Sequence, residues 1–112
     1  MSRDKARSDL VVRRFQLTDT DAVVELWQQC GLTRPWNNPY EDIALKMDFQ
    51  PELFFVGTLD GRVVAAVMAG YEGHRGWIQY LGVSPDHQRQ GFGTRIMMEA
   101  ERALRDLGCV KI

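Results

Sequence analysis

The stretch Gly76-Trp77-Ile78-Gln79-Tyr80-Leu81-Gly82-Val83-Ser84-Pro85-Asp86-His87-Gln88-Arg89-Gln90-Gly91-Phe92-Gly93-Thr94 decides the fold of this 112-residue chain. Its first eight residues are rich in aromatic and β-branched types, which predicts a strand. Pro85 ends that strand because proline cannot donate to a ladder. From Phe92 to Leu107 apolar residues recur at helical spacing, which predicts an amphipathic helix closed by Gly108. The stretch is therefore a strand, a glycine-bearing loop and a helix.

The loop between strand and helix has the chemistry of an anion site. The N–H groups that begin a helix have no partner within it, and with the helix dipole they attract a phosphate. Gly91 and Gly93 lack Cβ atoms, so a phosphate can approach the backbone, and Arg89 and Arg95 add positive charge. The predicted ligand is a phosphate or pyrophosphate. The alternative is a glycine-rich helix start without a ligand.

Two other phosphate loops do not fit this stretch. A Walker loop needs a Lys-Ser or Lys-Thr pair after its last glycine, and here Thr94-Arg95 follows Gly93. The dinucleotide fingerprint needs a third glycine, and Ile96 stands at that position. The loop is therefore neither a Walker loop nor a dinucleotide fingerprint.

Gln88-x-x-Gly91-x-Gly93, preceded by Leu81-Gly82-Val83-Ser84-Pro85, resembles motif A of the GNAT superfamily of N-acetyltransferases. In that family the motif binds the pyrophosphate of acetyl-CoA, and the preceding strand pairs with the pantetheine arm. The whole chain resembles a small stand-alone bacterial member of the YpeA-like kind. The resemblance implies acetyl-CoA as co-substrate, no metal, and cofactor contacts from Leu81, Gly82, Val83, Gln88, Arg89, Gln90, Gly91, Phe92, Gly93 and Thr94.

Composition sets the outer limits of function. The net charge is −1, so no general basic field for nucleic acid is expected. No apolar run approaches the ~20 residues of a membrane helix, and the polar N-terminus does not resemble a secretory signal, so the cytoplasm is the expected location. We expect a disordered lead at residues 1–9 and one domain over residues 10–112. The two cysteines and two histidines show no metal spacing, and the cysteines are expected to be buried free thiols.

The N-terminal half predicts a strand and two helices. Leu10 to Phe15 is β-rich, and a helix is expected to begin near Thr18, whose spacing to Asp21 is that of a capping box. Gly31 is expected to end this helix. Asn38 is the predicted cap of a second helix, with proline at its first position.

The sheet is predicted to grow through a hairpin. The β-rich runs 53–59 and 62–71 are joined by Asp60-Gly61, a strong signal for a tight turn. Residues 109–112 are predicted to begin a fifth strand, parallel to residues 77–83 because a helix connects them. The fold class is therefore α/β (α+β), a mixed, mostly antiparallel GNAT-type sheet flanked by helices. The element order is strand, two helices, three strands, helix and the start of that fifth strand.

GNAT domains usually continue with a further helix and two strands. The resemblance therefore implies that the C-terminal part of the domain is missing after Ile112. In many members a tyrosine on that later helix protonates the departing thiolate, and no residue here can inherit the role. We expect this loss to reduce activity without abolishing it.

The acceptor site is indicated mainly by the resemblance. In GNAT proteins the region between the first two helices borders the acceptor, which makes Arg34, Trp36 and Asn37 candidate substrate contacts. The alternative is a rigid connector with Trp36 tucked over the core.

The candidate catalytic residues are those that lie in or next to the central strand in the sequence. Histone-type members carry a glutamate early in the central strand, but residues 77–80 contain no acid. Glu72, with His74 beside it, is the nearest carboxylate and a candidate base. The alternative is a solvated turn. Tyr80 is the second catalytic candidate, and it lines the cleft or packs in the core according to the face it takes.

The predicted function is acetyl transfer from acetyl-CoA to a primary amine, which attacks the thioester directly while a backbone N–H near Leu81 to Val83 stabilises the oxyanion. The acceptor is a small-molecule amine or a protein or peptide amine, with no nucleic acid or membrane partner. Homodimers are common in the family, so a homodimer is one expected state. The alternatives are an acyl-CoA-binding fragment without efficient turnover and an assembly module that pairs through an edge near Cys109.

Overall fold

A computed structural model describes residues 9–112, so the predicted disordered lead lies outside the described residues except for Asp9. Short 3₁₀ turns precede three of the main elements. The elements in chain order are β1 (Val11–Arg14), α1 (Thr20–Gln29), α2 (Pro39–Asp48), β2 (Phe54–Leu59), β3 (Arg62–Tyr71), β4 (Gly76–Val83) and α3 (Phe92–Asp106). This order confirms the predicted sequence of elements through α3.

The four strands form one antiparallel sheet in the order β1-β2-β3-β4. The β2–β3 turn contains Asp60 and Gly61 with φ angles of 50° and 79°, so both lie in the left-handed region that a tight hairpin turn needs. The predicted hairpin is therefore confirmed. β4 is the last strand in this order and therefore forms an edge of the four-stranded sheet.

Helices cover both faces of the sheet. On one face, α1 and α2 bury Val23, Trp27 and Ile43 against Phe54 and other residues of β2 and β3. On the other face, α3 buries the stripe Ile96, Ala100 and Leu104 against Phe55, Ala65, Val67 and Ala69. Successive strand residues thus supply opposite cores, as the alternation of side chains in a strand requires. Trp27 is fully buried and belongs to the core.

β4 contains a bulge that breaks this alternation. Ala66 pairs with Gly82 and Met68 pairs with Gln79, so Tyr80 and Leu81 together oppose Val67. Tyr80 has a φ of 56°, in the left-handed region that non-glycine residues rarely occupy. An extra residue in one strand bends it and redirects a side chain. Gln79 and Tyr80 consequently both face the α2 side of the sheet.

Two local predictions are wrong. Thr18 and Asp21 do not form a capping box; instead Asp19 accepts the backbone N–H of Gln16 at 2.8 Å, and a 3₁₀ turn at Leu17–Asp19 precedes α1. Asp19 takes this place because it is buried in a two-bond ion pair with Arg13, at 2.8 and 2.9 Å.

The segment 109–112 does not form the predicted fifth strand. It lies beside the start of β4, where the N–H of Gly76 donates to the carbonyl of Lys111 at 2.7 Å. Gly108, with a φ of 95°, turns the chain back after α3, and buried Cys109 packs on the α3 face of the sheet. A strand needs a ladder of successive bonds, and this segment provides only its first contact with β4.

Among the described residues, no helix combines the length and the apolar character that a membrane crossing requires.

Candidate functional site

A cleft of about 520 Å³ opens beside the bulge of β4. α2 and the residues that flank it form one side, and β3 and β4 form the other. Met68, which is buried, lies at the base. The lining residues are Asn37, Asp42, Leu45, Lys46, Phe49, Gln50, Met68, Trp77, Gln79 and Tyr80.

Tyr80 and Asp42 face each other across this cleft. The hydroxyl of Tyr80 donates to Oδ2 of Asp42 at 2.5 Å. Burial and the Asp42 carboxylate together raise the pKa of Tyr80 to about 12. The ring of Tyr80 also stacks on the buried indole of Trp27, with centroids 4.3 Å apart. The phenol is therefore held in place and keeps its proton at neutral pH.

The polar residues deeper in the cleft hold the surrounding backbone. Lys46 is buried, its ammonium donates to the carbonyl of Ala69, and burial lowers its pKa, with Glu52 partly offsetting that effect. The amide of Gln50 bonds both the N–H and the carbonyl of Tyr71, at 3.0 and 2.5 Å. These contacts join the end of α2 to the end of β3 and fix the width of the cleft.

The other end of β4 leads to the N-terminus of α3. Gly91 caps this helix with a φ of 82°, and the first bond of the helix runs from the N–H of Arg95 to the carbonyl of Gly91. The N–H groups of Phe92, Gly93 and Thr94 therefore have no intrahelical partner. Three consecutive donors at the positive end of a 15-residue helix can bind an anion.

Val83 joins the strand to this helix start. Its carbonyl accepts from the Gln88 amide at 3.2 Å and from the Cys30 thiol at 3.2 Å. Burial raises the pKa of that thiol. A Cβ placed on Gly93 would lie 3.5 Å from the Val83 side chain, an ordinary contact distance. The backbone of the loop is thus packed closely against the end of β4.

The structure brings together the ten residues predicted to bind the cofactor, all within the end of β4, the loop and the first turn of α3. Their contributions differ, since Phe92 is buried in the core and Leu81 packs on the α3 face. Phe92 can therefore offer only backbone groups to a ligand. The loop residues Gln88, Arg89 and Thr94 are exposed.

Of the three predicted substrate contacts, one belongs to the lining of the cleft. Asn37 lines the cleft. The guanidinium of Arg34 donates to the carbonyl of Gly31 at 2.7 Å, within its own turn. Trp36 is 78% exposed, which excludes the alternative that it is tucked over the core.

Glu72 lies outside the residues that line the cleft. Its Oε1 accepts the N–H groups of His74 and Arg75 at 3.1 and 2.7 Å, so the carboxylate closes its own turn between β3 and β4. The carboxylate in the cleft is Asp42, which the sequence did not indicate. It stands in the first turn of α2, 38 residues from Tyr80 along the chain, so no local pattern could have joined the two.

Among residues 9–112, no three His, Cys, Asp or Glu side chains are grouped as ligands of a metal ion would be.

Comparison with known sequences identifies close relatives. Residues 13–112 match the model of the acetyltransferase (GNAT) family. An acetyltransferase of Yersinia pestis is 45% identical over 101 residues, which cover 90% of this chain and 72% of that protein. An acetyltransferase of Pectobacterium atrosepticum is 44% identical with the same coverage.

Solved structures with the same fold include proteins bound to acetyl-CoA or coenzyme A. A GNAT family acetyltransferase from Brucella melitensis in complex with acetyl-CoA has a TM-score of 0.69 and 19% identity, over 89% of this chain and 71% of that chain. Diaminobutyrate acetyltransferase from Paenibacillus lautus, in complex with L-2,4-diaminobutyric acid and coenzyme A, has a TM-score of 0.69 and 22% identity, over 81% and 55%. At these identities the likeness concerns the fold.

Proposed function

This chain belongs to the acetyltransferase (GNAT) family, and we propose that it transfers the acetyl group of acetyl-CoA to a primary amine. One observation carries the proposal. The edge strand β4 begins beside a cleft with a carboxylate and a protonated phenol and ends at a helix N-terminus with three unpaired N–H groups. A single strand thus connects a place for amine chemistry with a place for a phosphate.

The N-terminus of α3 fits the pyrophosphate of acetyl-CoA. Gly91, Phe92, Gly93 and Thr94 would hold it through backbone N–H groups, and Arg89 in the same loop adds positive charge. Binding there places the thioester further along β4, near the bulge. Holding a reactant by a remote group in this way lowers the entropy cost of the reaction.

The acceptor must lose a proton before it can attack. A lysine-type amine has a pKa of about 10.4 and arrives as an ammonium ion. The free amine then attacks the thioester carbonyl directly, and a backbone N–H near Leu81 to Val83 stabilises the oxyanion. The carbon–sulfur bond then breaks, and the departing thiolate of coenzyme A takes up the proton that the attacking nitrogen releases. Tyr80, which keeps its proton, is the proposed catalytic hydroxyl beside the acceptor. The role of Glu72 as the general base stays a prediction. In the structure its carboxylate accepts the backbone N–H groups of His74 and Arg75 in its own turn.

The range of acceptors in the family supports an amine without naming it. Diaminobutyrate acetyltransferase is bound to a small diamine, and the NatC complex, with the same fold at 12% identity, is bound to a peptide. Small-molecule and peptide amines therefore both remain proposed acceptors. The cytoplasmic location and the homodimer stay predictions.

Thermal unfolding with and without acetyl-CoA tests the co-substrate site. Ligand at a hundred times its dissociation constant should stabilise the native state by about 2.7 kcal/mol. In the Gly93→Asp variant the shift should disappear, because the new carboxylate repels the pyrophosphate. The variant should still fold, because an acidic residue in the first turn favours a helix and the space at Gly93 accepts a Cβ.

The Gly93→Ala variant is the matched control and should keep the shift, because its methyl group adds no charge. An equal loss of the shift in both variants would contradict a charge-sensitive site at this helix start. Release of the CoA thiol in the presence of amines then measures turnover. A thermal shift with no amine-dependent thiol release would identify a CoA-binding protein without turnover.

A further inference from the structure

The acceptor cleft has one carboxylate, that of Asp42, and one apolar side. We propose that its preferred acceptor is a primary amine carried on an apolar body about the size of an aromatic ring, with Asp42 binding the ammonium group. This inference rests on the proposed function and narrows the class of acceptor.

Asp42 has an oxygen available for a ligand. Its Oδ2 accepts the Tyr80 hydroxyl, and no residue among those described donates to Oδ1. Asp42 is half-buried, so an ammonium bound there would be partly shielded from water, which strengthens the attraction. The other charged residue of the lining is Lys46, whose ammonium is buried and donates to the Ala69 carbonyl. The group that meets an incoming ligand is therefore the carboxylate.

Three large apolar side chains line the same cleft and are left in contact with solvent. Leu45 is 68% exposed, Phe49 is 60% exposed and Trp77 is 39% exposed, and all three line the cleft. Leu45 lies on α2, Phe49 directly follows the last residue of that helix, and Trp77 lies on β4. We call these three residues the apolar wall. An exposed apolar patch beside a polar group is typical of a ligand site.

The two features together define the ligand chemistry. The apolar wall gains free energy when an apolar body covers it, and Asp42 requires a cation at one end of that body. The face of the Trp77 indole can also attract the ammonium. An acceptor with its own carboxylate close to the amine would be repelled by Asp42. A short amine without an apolar body would leave the wall in water.

Three related probe molecules separate the contribution of Asp42 from that of the apolar wall. Phenethylamine has both the ammonium and the ring, ethylamine has only the ammonium, and 2-phenylethanol has only the ring. Binding of each is measured by NMR on the Trp77 indole N–H in the absence of acetyl-CoA. Because this readout needs no acetyl transfer, it remains informative even if the proposed function fails. Phenethylamine should bind at least about tenfold more tightly than either partial probe.

Substitutions assign each feature to its residue. Asp42→Asn removes the charge but keeps an oxygen for the Tyr80 hydroxyl, and Phe49→Ala removes part of the apolar wall without opening the core. Each should weaken phenethylamine binding about tenfold or more. The controls are Glu41→Gln, the neighbouring acid outside the lining, and Met98→Ala, an exposed apolar residue on α3. Neither control should change binding.

Three results would overturn the proposal. The first is ethylamine binding as tightly as phenethylamine. The second is an equal effect of Asp42→Asn and Glu41→Gln, which would make the charge non-specific. The third is a change of sedimenting mass in Phe49→Ala with no loss of amine binding, which would make the wall an interface between two copies of the chain. Acetyl-CoA binding by the same variants, measured as a thermal shift, should stay unchanged.

Discussion

The hydroxyl of Tyr80 lies 2.5 Å from Oδ2 of Asp42, although 38 residues separate them in the chain. This contact joins the bulge of β4 to the first turn of α2 across the mouth of the cleft. On its other side Tyr80 stacks on Trp27, which lies next to Phe54 in the core with ring centroids 5.9 Å apart. The position of the phenol is thus set from the core on one side and from the cleft on the other.

Replacing Tyr80 with phenylalanine should change how stability depends on alkaline pH. The pKa of the Tyr80 phenol is about 12 in the folded protein, whereas that of a tyrosine in the unfolded chain is about 10. Between these values the unfolded chain has already lost the proton, so stability falls as pH rises. Chemical denaturation at pH 9, 10 and 11 should show a shallower decline in Tyr80→Phe than in the unmodified chain.

Tyr71→Phe is the control for this experiment, because its hydroxyl donates to the Gly73 carbonyl at the surface instead of to a carboxylate. Its pH dependence should match that of the unmodified chain. If the free energy of unfolding fell equally with pH in all three proteins, Tyr80 would not have the raised pKa that its contact with Asp42 implies.

Gly70→Ala should disturb the cleft more than the fold. A Cβ at this position would lie 2.6 to 2.7 Å from atoms of the Trp77 indole, which must then move. The ring is partly exposed and can rotate, so the loss of stability should stay below the range of about 1–3 kcal/mol for overpacking in a closed core. The KM for the amine should rise while the acetyl-CoA thermal shift is retained.

The matched control is Gly57→Ala, a strand glycine whose added methyl would meet Leu10 and Ala65 at 3.2 and 3.3 Å. It crowds the core on the α3 side and leaves Trp77 in place. We expect it to lower the melting temperature with no change in amine KM. An amine KM raised equally by both substitutions would contradict a specific role for the Trp77 position.

Asp19→Ala should destabilise the start of α1. Its carboxylate is buried and accepts from both guanidinium nitrogens of Arg13 and from the backbone N–H of Gln16. Removing it leaves these donors without that partner, which costs on the order of 1–3 kcal/mol. The free energy of unfolding from urea titration measures the change.

The same residue gives an acid dependence. The Arg13 guanidinium holds the pKa of Asp19 below its usual range, with the Gln16 N–H contributing as well. As the pH falls, the carboxyl of the unfolded chain takes up its proton before that of the folded protein does. The stabilisation by Asp19 is therefore complete above the usual pKa of an aspartate and is lost as the pH falls to the lower pKa of the folded protein. Asp19→Asn should lack this part of the acid dependence while keeping an oxygen for the Gln16 N–H. An unchanged acid transition would contradict the assignment.

The sequence was most informative where the signal was local. The Asp60-Gly61 turn, the Asn38-Pro39 helix start and the buried stripe of α3 each follow from the residues within one or two turns, and all three are present. The family resemblance was equally local, since it came from the loop motif at Gln88 to Gly93 and the strand end that precedes it. The capping box predicted between Thr18 and Asp21 was wrong. Asp19, which lies between them, instead pairs with Arg13 of the preceding strand and accepts the Gln16 N–H.

The sequence by itself determined the order of the elements, the family and the helix N-terminus at Gly91 to Thr94, because capping, periodicity and glycine conformation act over a few residues. Only the tertiary structure decided which carboxylate meets Tyr80. Strict alternation would place Tyr80 on the same face as Ile78, but the bulge opposite Val67 turns it toward α2 and Asp42. A bulge depends on how two strands pair, and a contact across 38 residues depends on how the layers pack, so neither is written in the neighbouring residues.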